Sequence, residues 1–381
     1  MRKSTFYFLE PSKVGNQHIT VISGFISAIT ASEYLCEKFN LFVGLSRRTI
    51  SALDDRKKSG IEIREVPVMD PEKRRLVVKS LLEFVLVFRW ILRLRQGDIL
   101  FVSCMLPTSL FLLEIFGRFF RYGSVFVVLH GELEGIVGEA RQDYRRIGYW
   151  AAKWAAFRKK SSNISVVVLD DFIKEQLISR RPENFDETSV HVVYLPLNLL
   201  EGERNQSVSC NETRVCFIGY RTAQKRFSDF ERLSEFYPQF DFLSIGGGFV
   251  EDLSNGKTLE LSAREDFLNE VGKCDYSIFP YASGYELSLS AAMLDAISVG
   301  THVVALDVPC AKGLYDYFGA EYVTVYGSFS DLEEDFVNLV SSRGKTQGMS
   351  RKELGVSLRQ SKFGQLSVER KFCDLIKSIS S

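Results

Sequence analysis

The chain has 381 residues, of which 45% are hydrophobic and 25% are charged. These values are typical of a globular protein and exclude wholesale disorder, and the length predicts two domains. The 48 Lys and Arg residues balance the 48 Asp and Glu residues, but positions 1–200 hold 29 basic and only 22 acidic side chains. The asymmetry predicts either a basic first half that faces an anionic partner or two halves that attract each other. We expect no nucleic-acid partner.

The seven cysteines are scattered and form no C-x-x-C pair. This pattern predicts reduced thiols in the cytoplasm and neither a disulfide framework nor a zinc site. The N-terminal MRKSTFYFLE has no long apolar core, as a signal peptide would. The uncharged run 99–113 is shorter than the roughly 20 residues that span a bilayer. We therefore expect a cytoplasmic chain with no membrane-spanning segment.

Apolar runs of strand length alternate with helical segments along both halves of the chain. This alternation predicts an α/β protein with two doubly wound, Rossmann-like parallel sheets. Residues 199–213 are polar and aperiodic, which indicates a linker between domains at 1–198 and 214–349, followed by a helical tail at 350–381. The predicted strands are 6–9, 41–43, 61–66, 98–102, 124–130 and 164–169 in the first domain, and 214–218, 241–245, 275–280, 301–306 and 322–325 in the second.

A glycine turn follows the first strand and precedes a helix. Its residues include Gly15, Asn16 and His18. Because glycine leaves the backbone accessible, such a turn can lie against a phosphate or a sugar. A plain strand-to-helix turn with Asn16 as the helix cap explains the pattern equally well.

Two helical segments in the first half, 74–95 and 141–160, combine basic residues with large apolar and aromatic ones. Basic residues beside Trp, Tyr and Phe suit the headgroup region of an anionic membrane. The alternative is a pair of core helices with solvated arginines. Because two such segments occur in the net-positive half, we predict peripheral contact with an anionic membrane surface.

His130 ends the strand 124–130, and Glu132 follows it in the loop. A histidine and a carboxylate at the carboxyl end of a strand can act as a general base on a hydroxyl group. A histidine that makes a single structural hydrogen bond would explain the same position.

The first strand of the second domain leads into a basic turn that contains Gly219, Arg221 and Lys225. Cations at this position can neutralise a phosphate group, although a basic surface turn is the alternative. Gly247 lies in the glycine run that follows the next strand. A glycine run is by itself a weak signal of nucleotide binding.

The stretch 279–307 reads as a strand end, a polar and aromatic loop, a helix, a Gly-Thr turn and an apolar strand. In parallel α/β sheets, ligands bind outside the carboxyl ends of the strands, where helix N-termini present N–H groups to anions. Ser288 or Ser290 can cap this helix. The candidate binding residues are Tyr281, Tyr285, Glu286, Ser288, Ser290 and Asp295.

This layout resembles the donor-binding loop and helix of GT-B glycosyltransferases, which use nucleotide-activated sugars. Asp295 stands where that family has its second carboxylate, and Glu286 lies one residue from the place of the first. His302 replaces the proline that usually follows Gly-Thr. The spacing from Gly219 to Lys225 also matches the family's glycine-to-lysine spacing.

The resemblance implies a GT-B fold, in which two Rossmann-like domains face a cleft and the last helix crosses back to the first domain. It implies that a sugar passes from a nucleotide-sugar donor to a saccharide or lipid-linked acceptor in polysaccharide assembly, without a cofactor or bound metal. The resemblance implies that Arg221 and Lys225 hold the diphosphate and that Gly247 lies near the base. It implies that Asp295 holds the ribose, that Glu286 holds the sugar or pyrophosphate, and that the donor is lined by Tyr281, Tyr285, Ser288 and Ser290. It also implies that His130 or Glu132 activates the acceptor near Gly15, Asn16 and His18.

Two other functions fit the same sequence. A sugar-nucleotide epimerase could use the same two-domain scaffold without a membrane surface. A catalytically degenerate partner subunit or saccharide-binding protein is also consistent, because Glu286 is displaced and His302 replaces proline. Nucleotide binding distinguishes the degenerate protein from both enzymes.

Overall fold

The computed structural model describes residues 3–12, 19–53, 60–68, 76–117, 123–130, 133, 164–180, 185–197, 213–221, 225–246, 253, 255–261, 263–281, 285–343, 357–358 and 360–380. The chain divides into two compact units. The first comprises Met1–Pro196, Leu287–Leu289 and Ser361–Ser381, and the second comprises Leu197–Glu286 and Ser290–Gln360. The tail from Ser361 thus belongs to the first unit.

The first unit contains a parallel sheet in which, among the described residues, the strand order is β3-β2-β1-β4-β5-β6-β7. The order reverses between β1 and β4, and in open α/β sheets such a switch point is where ligands bind. The strands are β1 (Ser4–Leu9), β2 (Phe39–Leu45), β3 (Glu62–Glu65), β4 (Ile99–Val102), β5 (Ser124–Val128), β6 (Ile164–Val168) and β7 (Val190–Val192).

The second unit repeats this topology with the order β10-β9-β8-β11-β12-β13, again entirely parallel in the described part of the chain. Its switch point lies between β8 and β11. Together the two sheets confirm the predicted α/β class with two doubly wound sheets. The strands are β8 (Arg214–Ile218), β9 (Asp241–Ile245), β10 (Lys257–Leu259), β11 (Tyr276–Phe279), β12 (His302–Leu306) and β13 (Val323–Tyr326).

Helices connect the strands in both units. Those of the first unit are α1 (Ile19–Ala31), α2 (Glu33–Lys38), α3 (Arg47–Ala52), α4 (Leu76–Ile91), α5 (Pro107–Gly117), α6 (Asp171–Arg180) and the C-terminal helix, which is named α12 (Gln365–Ser380). Those of the second are α7 (Phe227–Phe236), α8 (Arg264–Val271), α9 (Ala291–Ser298), α10 (Pro309–Phe318) and α11 (Phe329–Arg343). None of the described helices combines the length and apolar character needed to cross a membrane.

The core of the first unit includes α12, which comes from the far end of the chain. Its Phe372 is fully buried, with its ring centroid 5.0 Å from that of Phe101, 5.6 Å from that of Phe25 and 6.4 Å from that of Phe6. Aromatic side chains bury large areas and favour such tilted and edge contacts. The last helix therefore completes the core behind β1 and β4.

The core of the second unit is a chain of phenylalanine rings between its sheet and its helices. The ring of Phe217 on β8 lies 5.0 Å from Phe227 and 5.6 Å from Phe230. The ring of Phe242 on β9 lies 5.6 Å from Phe230 and 6.3 Å from Phe336. This packing holds β8 and β9 against the helices of the same unit.

Candidate functional site

Two glycines form the carboxyl edge of the second sheet beside its switch point. Gly219 follows β8 with φ +105° and donates its N–H to the carbonyl of Ile245 at 2.8 Å. Gly246 follows β9 with φ +133°, and a Cβ there would lie 2.6 Å from the Gly219 carbonyl oxygen. These positions therefore require glycine, because of both the backbone conformation and the close approach of the two strand ends.

Lys225 lies against this glycine edge. A Cβ on Gly219 would be 2.7 Å from the Lys225 Nζ, which in turn lies 5.5 Å from the ring centroid of Tyr281, two residues after β11. The side chain is half-buried. Desolvation by burial lowers the pKa of Lys225 to about 8. At neutral pH the amine of Lys225 therefore remains mostly protonated, and a bound anion would favour the protonated form further.

The aromatic loop after β11 joins Lys225 to the start of α9. Tyr281 is buried and stacks on Tyr285 with ring centroids 4.2 Å apart, and its hydroxyl lies 3.4 Å from the Ser290 Oγ. Ser290 is the N-cap of α9 and accepts a hydrogen bond from the Met293 N–H at 3.3 Å. The structure thus brings Gly219, Lys225, Tyr281, Tyr285 and Ser290 together at one edge.

Two residues that were predicted to bind the nucleotide-sugar donor, Arg221 and Asp295, interact with other charged side chains instead. Arg221 is only 4% exposed, and its Nη2 lies 3.6 Å from the Glu260 Oε1. Asp295 receives two hydrogen bonds from Arg264, one of them 2.9 Å long from Nη1 to Oδ2. Its predicted bonds to ribose hydroxyls would therefore compete with a two-point ion pair. The sequence did not reveal Arg264, because it lies 31 residues before Asp295.

The other predicted donor-binding residues are less closely tied to this edge. Glu286 is half-buried, and Ser288 is buried within the segment Leu287–Leu289, which clusters with the first unit. Gly247 lies outside the described residues. In the first unit, the predicted residues Gly15, Asn16, His18 and Glu132 and the basic segment 141–160 also lie outside them.

His130 lies at the carboxyl edge of the first sheet, two residues after β5. Its Nε2 is 2.9 Å from the Ser103 carbonyl oxygen, and the Ser103 Oγ donates to the Glu10 Oε2 at 2.7 Å. Because a carbonyl oxygen only accepts hydrogen bonds, Nε2 carries a proton, and in the neutral ring Nδ1 is the acceptor. Glu10 and Ser103 directly follow β1 and β4, so the three residues share the switch point.

A second carboxylate, Glu83 of α4, is buried beside this group. It accepts hydrogen bonds from the Ser12 and Ser109 hydroxyls and, at 3.1 Å, from the Leu106 N–H. Burial raises the pKa of Glu83 to about 7, although these hydrogen bonds and the charge of Lys79 oppose the rise. Glu83 could not be identified from the sequence, because a single acid in an apolar helix resembles an exposed residue.

Ser12 connects the two carboxylates. Its hydroxyl donates to Glu83, while its backbone N–H donates to the Glu10 Oε1 at 2.9 Å. The three residues therefore fix the start of the loop that follows β1. In the described part of the chain, no three His, Cys, Asp or Glu side chains are arranged to hold a metal ion.

Comparison with solved structures identifies the architecture. A sucrose-phosphate synthase from Thermosynechococcus elongatus superposes with a TM-score of 0.70 at 11% identity, over 99% of each chain. Anabaena HepE in complex with UDP-glucose gives 0.65 at 13% identity, over 98% of this chain and 99% of that one. WaaG, a glycosyltransferase involved in lipopolysaccharide biosynthesis, gives 0.65 at 13% identity, over 97% and 99%. The chain therefore has the GT-B fold of glycosyltransferases. No family model and no curated protein sequence matches it.

Proposed function

We propose that this protein is a glycosyltransferase that moves a sugar from a nucleotide-sugar donor to a hydroxyl group of a saccharide or lipid-linked saccharide. The observation that carries the proposal is the position of Lys225, held between Gly219 and the Tyr281 ring at the carboxyl edge of the second sheet. The resemblance to HepE, which was solved with UDP and UDP-glucose, supports a nucleotide-sugar donor.

In this proposal the second unit stabilises the leaving group. As the glycosidic bond breaks, the nucleoside diphosphate gains negative charge, which nearby cations and N–H groups must stabilise. Lys225 supplies the cation, and the N-terminus of α9, capped by Ser290, supplies oriented N–H groups. We propose that these groups act without a bound metal. Arg221 then supports the basic turn through its pair with Glu260 and does not contact the phosphates.

The first unit holds the acceptor in this proposal. The Ser103 carbonyl fixes the His130 tautomer with Nδ1 as acceptor, as deprotonation of an acceptor hydroxyl requires. Glu132 and the loop with Gly15, Asn16 and His18 would complete the acceptor site. The likeness to WaaG, a glycosyltransferase involved in lipopolysaccharide biosynthesis, supports a role in polysaccharide assembly. We further propose that this assembly takes place at the cytoplasmic face of a membrane.

The test is turnover by the purified full chain. We expect it to bind UDP-glucose or another nucleotide sugar and to release the nucleoside diphosphate slowly in water, and faster with a saccharide acceptor. Lys225→Ala should reduce the release at least tenfold, since a charge-assisted hydrogen bond contributes about 1.5–3 kcal/mol. Lys257→Gln, which removes an exposed lysine on β10, is the matched control.

Three outcomes would contradict the proposal. If the protein bound no nucleotide sugar, it could not be a glycosyltransferase of this kind, whatever its fold. Binding without turnover in the presence of a panel of acceptors would indicate the degenerate binding protein. Conversion of the nucleotide sugar to its epimer without an acceptor would indicate the epimerase.

A further inference from the structure

Helix α4 is apolar on both of its faces. One face packs into the first unit and includes Phe84, Val87 and Trp90. The opposite face exposes Leu81, which is 52% exposed, and Val85, which is 40% exposed. An ordinary surface helix carries polar residues on its outer face, so a helix that is apolar all round needs a second apolar environment.

The exposed apolar positions form one continuous surface. On α4 they recur at spacings of three and four residues and so share one side of the helix. Phe116 of α5 is 42% exposed, and its ring lies 5.5 Å from Phe84 and 6.1 Å from Phe88, which joins the two helices. We call this surface the α4–α5 face, and its exposed members are Val78, Leu81, Leu82, Val85, Leu92, Ile115 and Phe116.

Among the described residues, the charges exposed on α4, on α5 and just after α4 are all positive. Arg89, Arg93 and Arg95 are exposed at the C-terminal end of α4, with the Arg93 guanidinium 5.2 Å from the Trp90 ring. The two acids in the sequences of α4 and α5, Glu83 and Glu114, are buried instead. An exposed apolar surface of this kind, bordered by arginines, marks an interaction site for an anionic and apolar partner.

We infer that the α4–α5 face docks on an anionic lipid bilayer. In this arrangement α4, whose 16 residues span about 24 Å, lies in the plane of the headgroups. The exposed leucines and Phe116 enter the acyl boundary, and Arg89 and Arg95 contact lipid phosphates. A second copy of the chain is a poorer occupant, because a twofold contact would bring the arginines of both copies together.

The segment 74–95 was expected to contact the membrane through its basic and aromatic residues. The structure buries Trp90 of this segment at 8% exposure, so aliphatic side chains, Phe116 and arginines make the contact instead. The inference deepens the proposed function, because it brings the acceptor-binding unit to a surface that holds lipid-linked acceptors. Vesicle binding and nucleotide binding are measured separately, so either proposal can fail without the other.

The test is co-sedimentation of the full chain with vesicles of phosphatidylcholine alone or mixed equally with phosphatidylglycerol, at low salt. The parent should pellet with the anionic vesicles and not with the neutral ones. The double variant Leu81→Asn/Leu82→Asn should weaken binding at least tenfold, because two apolar side chains leave the bilayer. Arg89→Gln/Arg95→Gln should weaken binding about fivefold for each arginine.

The controls remove equivalent groups elsewhere. Phe236→Asn removes a 63% exposed aromatic side chain of the second unit, and Lys257→Gln removes an exposed charge. Both should bind vesicles like the parent, and circular dichroism should show that every variant is folded. The inference is overturned if the parent does not pellet with anionic vesicles, pellets equally with neutral ones, or is matched by the two double variants. It is also overturned if light scattering without lipid shows a dimer that the leucine variant dissociates.

Discussion

The carboxyl edges of the two sheets have the same topology but opposite chemistry. At the first edge, Glu10 and Glu83 are buried among serine hydroxyls beside His130. At the second, Lys225 lies against a glycine turn and a tyrosine ring. The first edge therefore concentrates carboxyl and hydroxyl groups, whereas the second presents a positive charge. The same backbone plan has two different chemistries because the residues just after the strands differ.

The two edges also differ in what holds them in place. The phenylalanine cluster of the second unit comes from its own strands and helices. In the first unit, Phe372 of the C-terminal helix packs against Phe101 and Phe6, on the strands that end at Ser103 and Glu10. The first edge thus depends on a helix from the other end of the chain, whereas the core behind the second edge comes from its own unit.

Truncation of Phe372 tests whether the first edge depends on α12. Phe372→Ala should destabilise the first unit by about 3–5 kcal/mol, since it leaves a cavity between α12 and the sheet. Hydrogen exchange should show faster exchange of the β1 and β4 amides, while the β8 and β11 amides keep their protection. Leu366→Ala, which truncates a 71% exposed side chain on the same helix, should change neither. Equal loss of protection in both sheets would contradict the account.

The next effect concerns the buried acid of the first edge. With its pKa raised from 4.5 to about 7, Glu83 keeps its proton in the folded state at pH values where the unfolded chain releases it. The stability of the first unit should therefore fall by about 3 kcal/mol as the pH rises from 4.5 to 7. Above that range the contribution of Glu83 to stability should level off.

Glu83→Gln imitates the protonated acid and should remove this fall. Denaturant unfolding of the first unit between pH 5 and 8 measures the free energy of unfolding of variant and parent. As the pH rises, the variant should become more stable relative to the parent, because the introduced amide does not ionise. Parallel profiles for the two proteins would show that Glu83 is ionised throughout and that the first edge does not hold this proton.

A smaller effect should appear at the second edge. Gly219→Ala places a side chain at φ +105° and puts its Cβ 2.7 Å from the Lys225 Nζ. We expect a stability loss of about 1 kcal/mol from the backbone strain and a weaker affinity for UDP from the displaced ammonium, by about tenfold. Thermal unfolding and calorimetry with UDP measure the two changes.

Gly319 provides the matched control. It has φ +83° in the same unit, but a Cβ there would meet nothing within 4 Å. Gly319→Ala should therefore cost similar stability while UDP affinity stays at the parent value. If both alanine variants bound UDP equally, the position of Gly219 beside Lys225 would have no functional importance.

The sequence predicted the sheets well, because strands buried on both faces read as continuous apolar runs, such as Val-Phe-Val-Val in β5. It missed β7 and β10, which have three residues each and no such run. It also predicted that the loops with Gly219, Lys225 and Tyr281 lie close together, because residues that directly follow neighbouring parallel strands lie at the same edge of the sheet. Partners from distant segments could not be predicted: the Arg264 pair and the burial of Glu83 depend on packing between helices.

Whether Lys225 binds the diphosphate can be measured directly by calorimetry, as the affinity of the parent and of Lys225→Ala for UDP at pH 7. We expect the parent to bind UDP and the variant to lose about 2 kcal/mol of binding free energy, or about thirtyfold in affinity, while Lys257→Gln binds like the parent. Equal affinity of the parent and Lys225→Ala would show that the diphosphate binds elsewhere and would contradict the assignment of the second edge.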